Sequence, residues 1–465
     1  MPGRDQALAA AQAMAEGRFL DQLARLVAVP TESERRERRG MLAHYLSDVL
    51  GPLYARLGFA LEIFDNPEPA GGPFLLAERV EDAGLPTVLS YGHGDTVAGM
   101  EGRWAEGRDP FALTRAGDRL YGRGTADNKG QHLINLLALE AALAARDGKL
   151  GFNTTVLIET SEEIGSPGLR EFCRAERARL RADMLLASDG PRVAPEMPTL
   201  VLGTRGVVNF RLEAALRSKA HHSGNWGGII ADPGVLIAHA IAAILSPEGR
   251  IEVPEWRPGG VDPAVLEAFR DAAFDPGDGP DRPDPGWGEP GLSDWQKLGA
   301  WTSFSVLALE LGTPDAPVNA IQPRAVAHCG LRITPDVDQS ALLPALRRYL
   351  EARGLGTVKV VADTGGIDFP ASRQAPDAPW PRWAAASIAR SLGRRPVVLP
   401  NAAGSLPNEV FADLLGLPTI WVPHSYSSCG QHAPDEHLLL PVVAEALRLM
   451  AGLWWDLGEA EGRPI

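Results

Sequence analysis

The sequence predicts an α/β protein with a second, α+β domain inserted into it, and three observations carry that expectation. Over the first two hundred residues, short apolar runs ending in acids or a histidine alternate with helical patterns, the order of a sheet covered on both faces. Near residue 206 the pattern becomes the apolar–polar alternation of half-buried antiparallel strands. Late in the chain the first pattern resumes.

Each element has its own signal. The opening "MPGRDQALAAAQAMAEGRFLDQLARLVAVPTES" mixes charges with alanines, so it reads as an amphipathic helix and not as a signal peptide. "PTVLSYGHGD" (86–95), "TTVLIETSEE" (154–163) and "ADMLLASDG" (182–190) read as buried strands with polar or acidic ends. Between the first two, "QHLINLLALEAALAARDG" (131–148) has helical spacing and a terminal glycine. "GVVNFRLEAAL", "TSFSVLALEL" (302–311) and "AVAHCGLRI" (325–333) alternate as antiparallel strands, and the Pro-, Gly- and Asp-rich 274–291 reads as a long surface loop. A helix "SALLPALRRYLEARG" and a strand "TVKVVAD" complete the inserted unit, placing it at 206–366. "PWPRWAAASIARSLG", "TIWVP" and a helix from Pro441 return to the α/β pattern.

Composition narrows the function. At 465 residues the chain is long enough for two to four domains, and 45% hydrophobic against 22% charged residues excludes a disordered class. A net charge of -14 speaks against nucleic acid as a partner and leaves room for bound cations. No apolar window is long enough for a membrane span. Three scattered cysteines form neither a disulfide framework nor a thiolate metal site, which fits a reducing, cytoplasmic compartment.

Open α/β sheets bind ligands at the carboxyl ends of their strands, so the residues found there are the candidates. In "GHGDTV", His93 and Asp95 stand two apart on an extended segment and project to the same side, so Asp95 can accept a hydrogen bond from the ring of a metal-binding His93. Asp127 lies in a Gly-rich turn before the long helix, where an aspartate is also a common helix cap. Asp189 ends the third strand, where a turn aspartate is equally ordinary. "CGQHAPDEH" offers His432, with His437 read as a solvated loop residue. "TSEEIGS" sets Glu162 and Glu163 side by side after a buried strand, a costly place for uncompensated charge. As a set, His93, Asp127, Glu163, Asp189 and His432 suit a borderline ion such as zinc, and three carboxylates balance much of the charge of two divalent cations.

These stretches, in this order, resemble the zinc-dependent peptidases and deacylases that include acetylornithine deacetylase, succinyl-diaminopimelate desuccinylase, bacterial glutamate carboxypeptidase and carnosine dipeptidase. The resemblance implies a mixed-sheet di-zinc catalytic domain (1–205 and 367–465) with an inserted lid and dimerisation domain (206–366). It implies two divalent ions, most readily zinc, with cobalt or manganese as alternatives. His93 and Asp189 would hold one ion and Glu163 and His432 the other, with Asp127 bridging. Asp95 would orient His93, Glu162 would be the general base, and the Asp127–Asn128 peptide bond would be cis. In the lid, "AHHSGNWGG" implies that His222 reaches the substrate, often across a homodimer. Arg332, with Gly404 and Ser405 of "NAAGSLPNE", would bind a substrate carboxylate; Ala403 stands where many relatives have glycine, which restricts the backbone there.

The implied reaction is hydrolysis of an amide bond in a small dipeptide or an N-acyl amino acid. Two further readings stand beside it: N-acyl amino acid deacylation in place of peptide cleavage, and a ligand-binding homologue without catalysis. A serine hydrolase is disfavoured, because no G-x-S-x-G elbow is present. On the extended segment the two glutamate side chains diverge, so Glu163 can meet an ion while Glu162 faces the attacking water.

Overall fold

The computed structural model describes residues 2–270, 272, 282–363 and 369–464. In chain order its main strands are β1 (Ala60–Phe64), β2 (Phe74–Arg79), β3 (Thr87–His93), β4 (Asn153–Glu159), β5 (Met184–Ala187), β6 (Thr199–Val201), β7 (Gly206–Ala215), β8 (Ser303–Glu310), β9 (Arg324–Ile333), β10 (Lys359–Ala362), β11 (Val397–Leu399) and β12 (Thr419–Trp421). The main helices are α1 (Pro2–Ala13), α2 (Arg18–Val27), α3 (Lys129–Ala145), α4 (Leu169–Ala175), α5 (Pro233–Ile244), α6 (Pro263–Arg270), α7 (Asp294–Ala300), α8 (Leu342–Ala352), α9 (Pro379–Leu392) and α10 (Leu440–Leu457). The single helix expected at the N-terminus is two, broken at Gly17, the poorest helix former there.

One mixed sheet contains eight strands in the order β1-β2-β4-β3-β5-β12-β6-β11. Its centre, β4-β3-β5-β12, is parallel throughout. All seven residues of β4 are buried, as continuous β-branched and aliphatic runs are when both faces are covered. His93 lies opposite Glu159 in the β3–β4 register. The carboxyl ends of the four central strands therefore open on one edge, and the loops that follow them carry the candidate residues.

Each face of the sheet has its own apolar core. On one side α1, α2, α3, α9 and α10 pack around Phe19, Leu137, Phe152 and Trp454, with the Phe152 and Trp454 rings stacked at 5.9 Å. On the other side α4 and the chain around Phe411 cover Phe172 and Trp421. No helix among the described residues is long and apolar enough to cross a membrane.

Residues 206–362 supply a separate antiparallel sheet, β8-β9-β7-β10. The alternation read from "GVVNFRLEAAL" is what lets β7 face a core on one side only: α5 and α8 cover it through Phe210, Ile237, Trp256, Leu331 and Leu346. Within this span α6 and α7 behave differently. Val265, Phe269, Trp295 and Ala300 join the second core of the eight-stranded sheet, because their apolar faces find partners there and not on the four-stranded sheet. The boundary expected at 366/367 and much of the loop expected at 274–291 lie outside the described residues.

Candidate active site

The strand ends bring the five expected donors together. His93 leaves β3 fully buried, with its Nε2 2.9 Å from Asp127 Oδ1 and 3.5 Å from Asp189 Oδ2. On the other side of Asp127, Oδ2 lies 3.2 Å from His432 Nε2, and the same nitrogen is 2.9 Å from Glu163 Oε2. One donor atom from each of His93, Asp127 and Glu163 falls within a 4.8 Å group. Asp127 thus stands between a His93–Asp189 half and a Glu163–His432 half.

Asp127 does not cap α3. The cap residue is Asn128, which makes no side-chain cap bond and instead donates Nδ2 to the Ser188 carbonyl. The Asp127–Asn128 peptide bond is cis. His432 adopts φ 59°, a left-handed conformation uncommon for a non-glycine residue and found more often at functional sites.

Asp95 has a wider reach than sequence suggests. The His93 Nδ1 lies 3.2 Å from the Asp95 carbonyl and 3.4 Å from its Oδ1. The same carboxylate accepts hydrogen bonds from the backbone N–H groups of Glu162 and Glu163, at 3.2 and 3.1 Å. A single buried side chain therefore positions the ring of one half of the site and the backbone of the other.

Electrostatically, this cluster calls for positive charge. Burial pushes Glu163 up to about 7 and Asp189 up to about 6, and the adjacent Asp127 charge adds to both. Burial also pushes Glu162 well up, against the pull of His93. Burial opposes a charged His93, but its bonds to Asp127 and Asp95 overcome this and raise it. Hydrogen bonds to Asp127 and Glu163 raise His432. Asp189 Oδ2 is buried without a hydrogen-bond partner, which is costly for a carboxylate unless something else meets it. A donor set of two imidazoles and three carboxylates with one orphaned oxygen fits divalent cations, zinc-like ions in particular.

Two cavities meet at the cluster. One of about 370 Å³ is bordered by Glu162, Glu163 and His432 on one side and by Asn209, Ser305 and Arg332 of the four-stranded sheet on the other. The second, of about 160 Å³, touches Asp127, Glu162 and Asp189 and includes Gly404. Ser405 borders both. Arg332 Nη1 donates to Ser405 Oγ at 2.6 Å, and that hydroxyl donates to the Arg205 carbonyl at 2.7 Å. A larger cavity of about 470 Å³ lies by Arg205 and is lined by none of the cluster residues.

His222 is the expected site residue that does not join this assembly. It is exposed and lines neither cavity; its Nδ1 accepts a hydrogen bond from the Gly224 N–H. The reading of His437 is corrected: it is buried, in a three-residue strand paired with Tyr121, and hydrogen-bonded to Tyr426 at 2.6 Å. That partner strand is distant in sequence, so the polar loop around His437 concealed its burial.

Two supporting residues escaped the sequence reading. Glu436, buried, accepts hydrogen bonds from the Ala126 and Asp127 N–H groups at 2.9 and 3.0 Å, from Gly124, and from Arg123 Nη1 at 2.7 Å. Arg205, also buried, donates Nε to the Ala403 carbonyl at 2.7 Å and its backbone N–H to Ala402. The nearest local signals were an acid within "QHAPDEH" and an arginine at the end of the first domain.

Comparison with known proteins agrees with the geometry. Residues 89–456 match the pattern of Peptidase family M20/M25/M40. The chain is 26% identical to the Beta-Ala-His dipeptidase of Homo sapiens over 95% of its own length and 86% of that protein. It is 27% identical to the cysteinylglycine-S-conjugate dipeptidase of Corynebacterium striatum, over 72% of each. The fold matches the crystal structure of human carnosine dipeptidase 1 with a TM-score of 0.80 at 23% identity, covering 98% of both chains. A mixed sheet that gathers buried acids and histidines at its parallel strand ends, together with a pattern match across most of its length, identifies the chain as a hydrolase that belongs to the M20/M25/M40 peptidase family.

Proposed function

We propose that the protein hydrolyses the amide bond of a small dipeptide with a free carboxylate, using two divalent cations, zinc being the ion that the donor set suits best. The observation that carries this reading is the meeting of His93, Asp127, Glu163, Asp189 and His432 beside Glu162, with the orphaned Asp189 oxygen among them. His93 and Asp189 would hold one ion, Glu163 and His432 the other, and Asp127 both. When bound, such ions supply Lewis acidity, lowering the pKa of water and polarising a carbonyl. The residues 1–205 and 367–465 form the catalytic unit in this reading, and 206–366 the lid.

The chain's own groups divide the remaining work. The Glu162 carboxylate borders both cavities and makes no hydrogen bond among the described residues, so it faces the space where substrate and water meet. It accepts a proton from the attacking water and delivers it to the leaving nitrogen, work worth roughly 10²–10⁴ in rate. Arg332, backed by Ser405, presents a planar fork to the substrate carboxylate. Asp95 keeps His93 and the 162–163 backbone in register.

Leu307 and Leu309 on the lid's edge strand and Leu311 just past it are exposed, as are Ile229, Val235 and Val318 of the same domain. Such a surface supports a homodimer formed through the lid, in which an exposed His222 serves the partner subunit's site. Three buried, unpaired cysteines support a reducing compartment such as the cytoplasm.

The test is a panel of dipeptides and N-acetyl and N-succinyl amino acids assayed with added zinc, cobalt or manganese, alongside the Glu162→Gln variant. Dipeptides are expected to be the preferred class. The variant is expected to keep its bound metal and lose at least about 100-fold in kcat; near-normal turnover would remove Glu162 from the proton transfer.

A further inference from the structure

The smaller cavity at the cluster has a chemistry of its own. Asp127, Glu162, Asp189 and His432 of the cluster line it, and the rest of its lining is mainly apolar, with Trp295, Leu399, Ala403 and Leu406. Outside the cluster residues this lining carries no charged group, so the charges that a side chain meets there are those of the cluster itself. The larger cavity beside it, by contrast, holds the Arg332 guanidinium and the Asn209 and Ser305 side chains. A substrate whose carboxylate lies on Arg332 and whose amide lies at Glu162 therefore directs its other end toward the apolar cavity.

Trp295 is the part of this wall brought from furthest away. It sits on α7, whose start is fixed by a reciprocal capping box between Ser293 and Gln296. Gln296 also donates Nε2 to the Leu266 carbonyl at 2.8 Å, tying α7 to α6. Gly299 lies so close to the Phe269 ring that an added Cβ would meet it at 2.2 Å. From the other side Asn401 donates Nδ2 to the Gly299 carbonyl at 2.8 Å, which links α7 to the turn carrying Ala403 and Ser405. Trp295 itself is only 6% exposed. The indole is thus a fixed boundary, held against both α6 and the 401–405 turn.

We infer that this cavity is the specificity pocket for the residue on the acyl side of the cleaved bond, and that Trp295 and Ala403 set its upper size limit. The inference rests on the amide-hydrolase reading above and adds the substrate class. A cavity of roughly 150 Å³ holds one benzene-sized molecule, so a volume of about 160 Å³ admits a branched aliphatic group or a single six-membered ring. It excludes an indole, and it rejects aspartate, whose charge would be desolvated there beside the carboxylates of the cluster.

The experiment compares X-Gly dipeptides, with Gly, Val, Leu, Trp, Asp and Lys at the first position, and N-acyl glycines bearing acetyl, isovaleryl and succinyl groups, on zinc-loaded protein. Leu-Gly is expected to exceed Gly-Gly in kcat/KM by about 100-fold, since a methylene in an apolar pocket is worth roughly 10-fold or more. Isovaleryl is expected to exceed succinyl by a comparable factor. Trp295→Ala should raise the Trp-Gly to Leu-Gly ratio at least about 10-fold, and Ala403→Leu should lower the Leu-Gly to Gly-Gly ratio by a similar factor. Calorimetry gives a reading independent of turnover: free leucine should bind the zinc-loaded protein at least about 10-fold tighter than aspartate, and Trp295→Ala should weaken it. Hydrolysis of the panel with no preference for apolar acyl-side groups, or ratios unmoved in both variants, overturns the pocket assignment and leaves the amide-hydrolase reading standing. No hydrolysis of any member overturns that reading, and the pocket assignment with it.

Discussion

Glu436 shows how much of the site depends on a residue that touches no donor side chain. Its carboxylate gathers the backbone N–H groups of Gly124, Ala126 and Asp127 and pairs with the buried Arg123. Glu436→Gln would face amide hydrogens toward N–H donors and leave Arg123 without its counter-charge. Breaking a buried pair in this way costs about 3–5 kcal/mol, measurable by denaturant unfolding, and a supporting residue of this kind alters metal affinity by roughly 10–100-fold. Unchanged unfolding and unchanged zinc affinity in chelator competition would show that Glu436 does not set the Asp127 turn. At this scale the sequence was legible where a residue lies at a strand end or in a Gly-rich turn, as His93, Asp127 and Asp189 do; Glu162 and Glu163 lie beyond their strand in a single helical turn, not on the extended segment expected of them. Glu436 and Arg205 could not be read, because each staples backbone from the far end of the chain and leaves no local spacing. His437 was misread for the same reason.

Among the elements, α3 shows why its own first turn carries a glycine. A Cβ on Gly130 would lie 2.0 Å from the Thr125 carbonyl oxygen, a backbone atom that cannot swing aside. Gly130→Ala must therefore push the start of α3 away from the 122–127 turn that carries Asp127. Overpacking of this kind costs about 1–3 kcal/mol, despite alanine's better helix propensity. Thermal unfolding and zinc content should both fall; a variant with wild-type values would mean that the turn and helix are loosely coupled. The central strands were predictable because parallel, doubly covered strands read as unbroken apolar runs. α6 and α7 were not assigned to the catalytic sheet, because amphipathic spacing says that a helix has an apolar face and not which core receives it.

For the molecule as a whole, the two ends of the chain close one face of the catalytic sheet. Arg4 reaches Asp456 at 2.8 and 3.0 Å, and Ser387 and Arg390 also bond that carboxylate. Burial tends to raise Asp456, but these hydrogen bonds outweigh it and hold the carboxyl below the ordinary value of 3.8. Because its folded pKa is depressed, the unfolded chain binds more protons between the two values, so stability there rises with pH. The contribution is complete above the unfolded value and disappears as pH falls through the folded one. Asp456→Asn is expected to be less stable at pH 7 and to lose less stability on acidification below about pH 4, measured by urea unfolding with chelator present so that cation release does not contribute. Parallel curves for the two proteins would remove Asp456 from the acid response.

The route of α6 and α7 has a mechanical consequence. A domain inserted into another needs only an exit and a return, and two such strands of chain make a compliant hinge. Here the chain leaves the four-stranded sheet midway, packs Val265, Phe269 and Trp295 on the catalytic core, and re-enters as β8 directly after Trp301 and Thr302. Any swing of the four-stranded sheet must be absorbed within those two residues or transmitted to α7. The extra round trip is a further connection between the two sheets, beyond one exit and one return, and it carries Trp295.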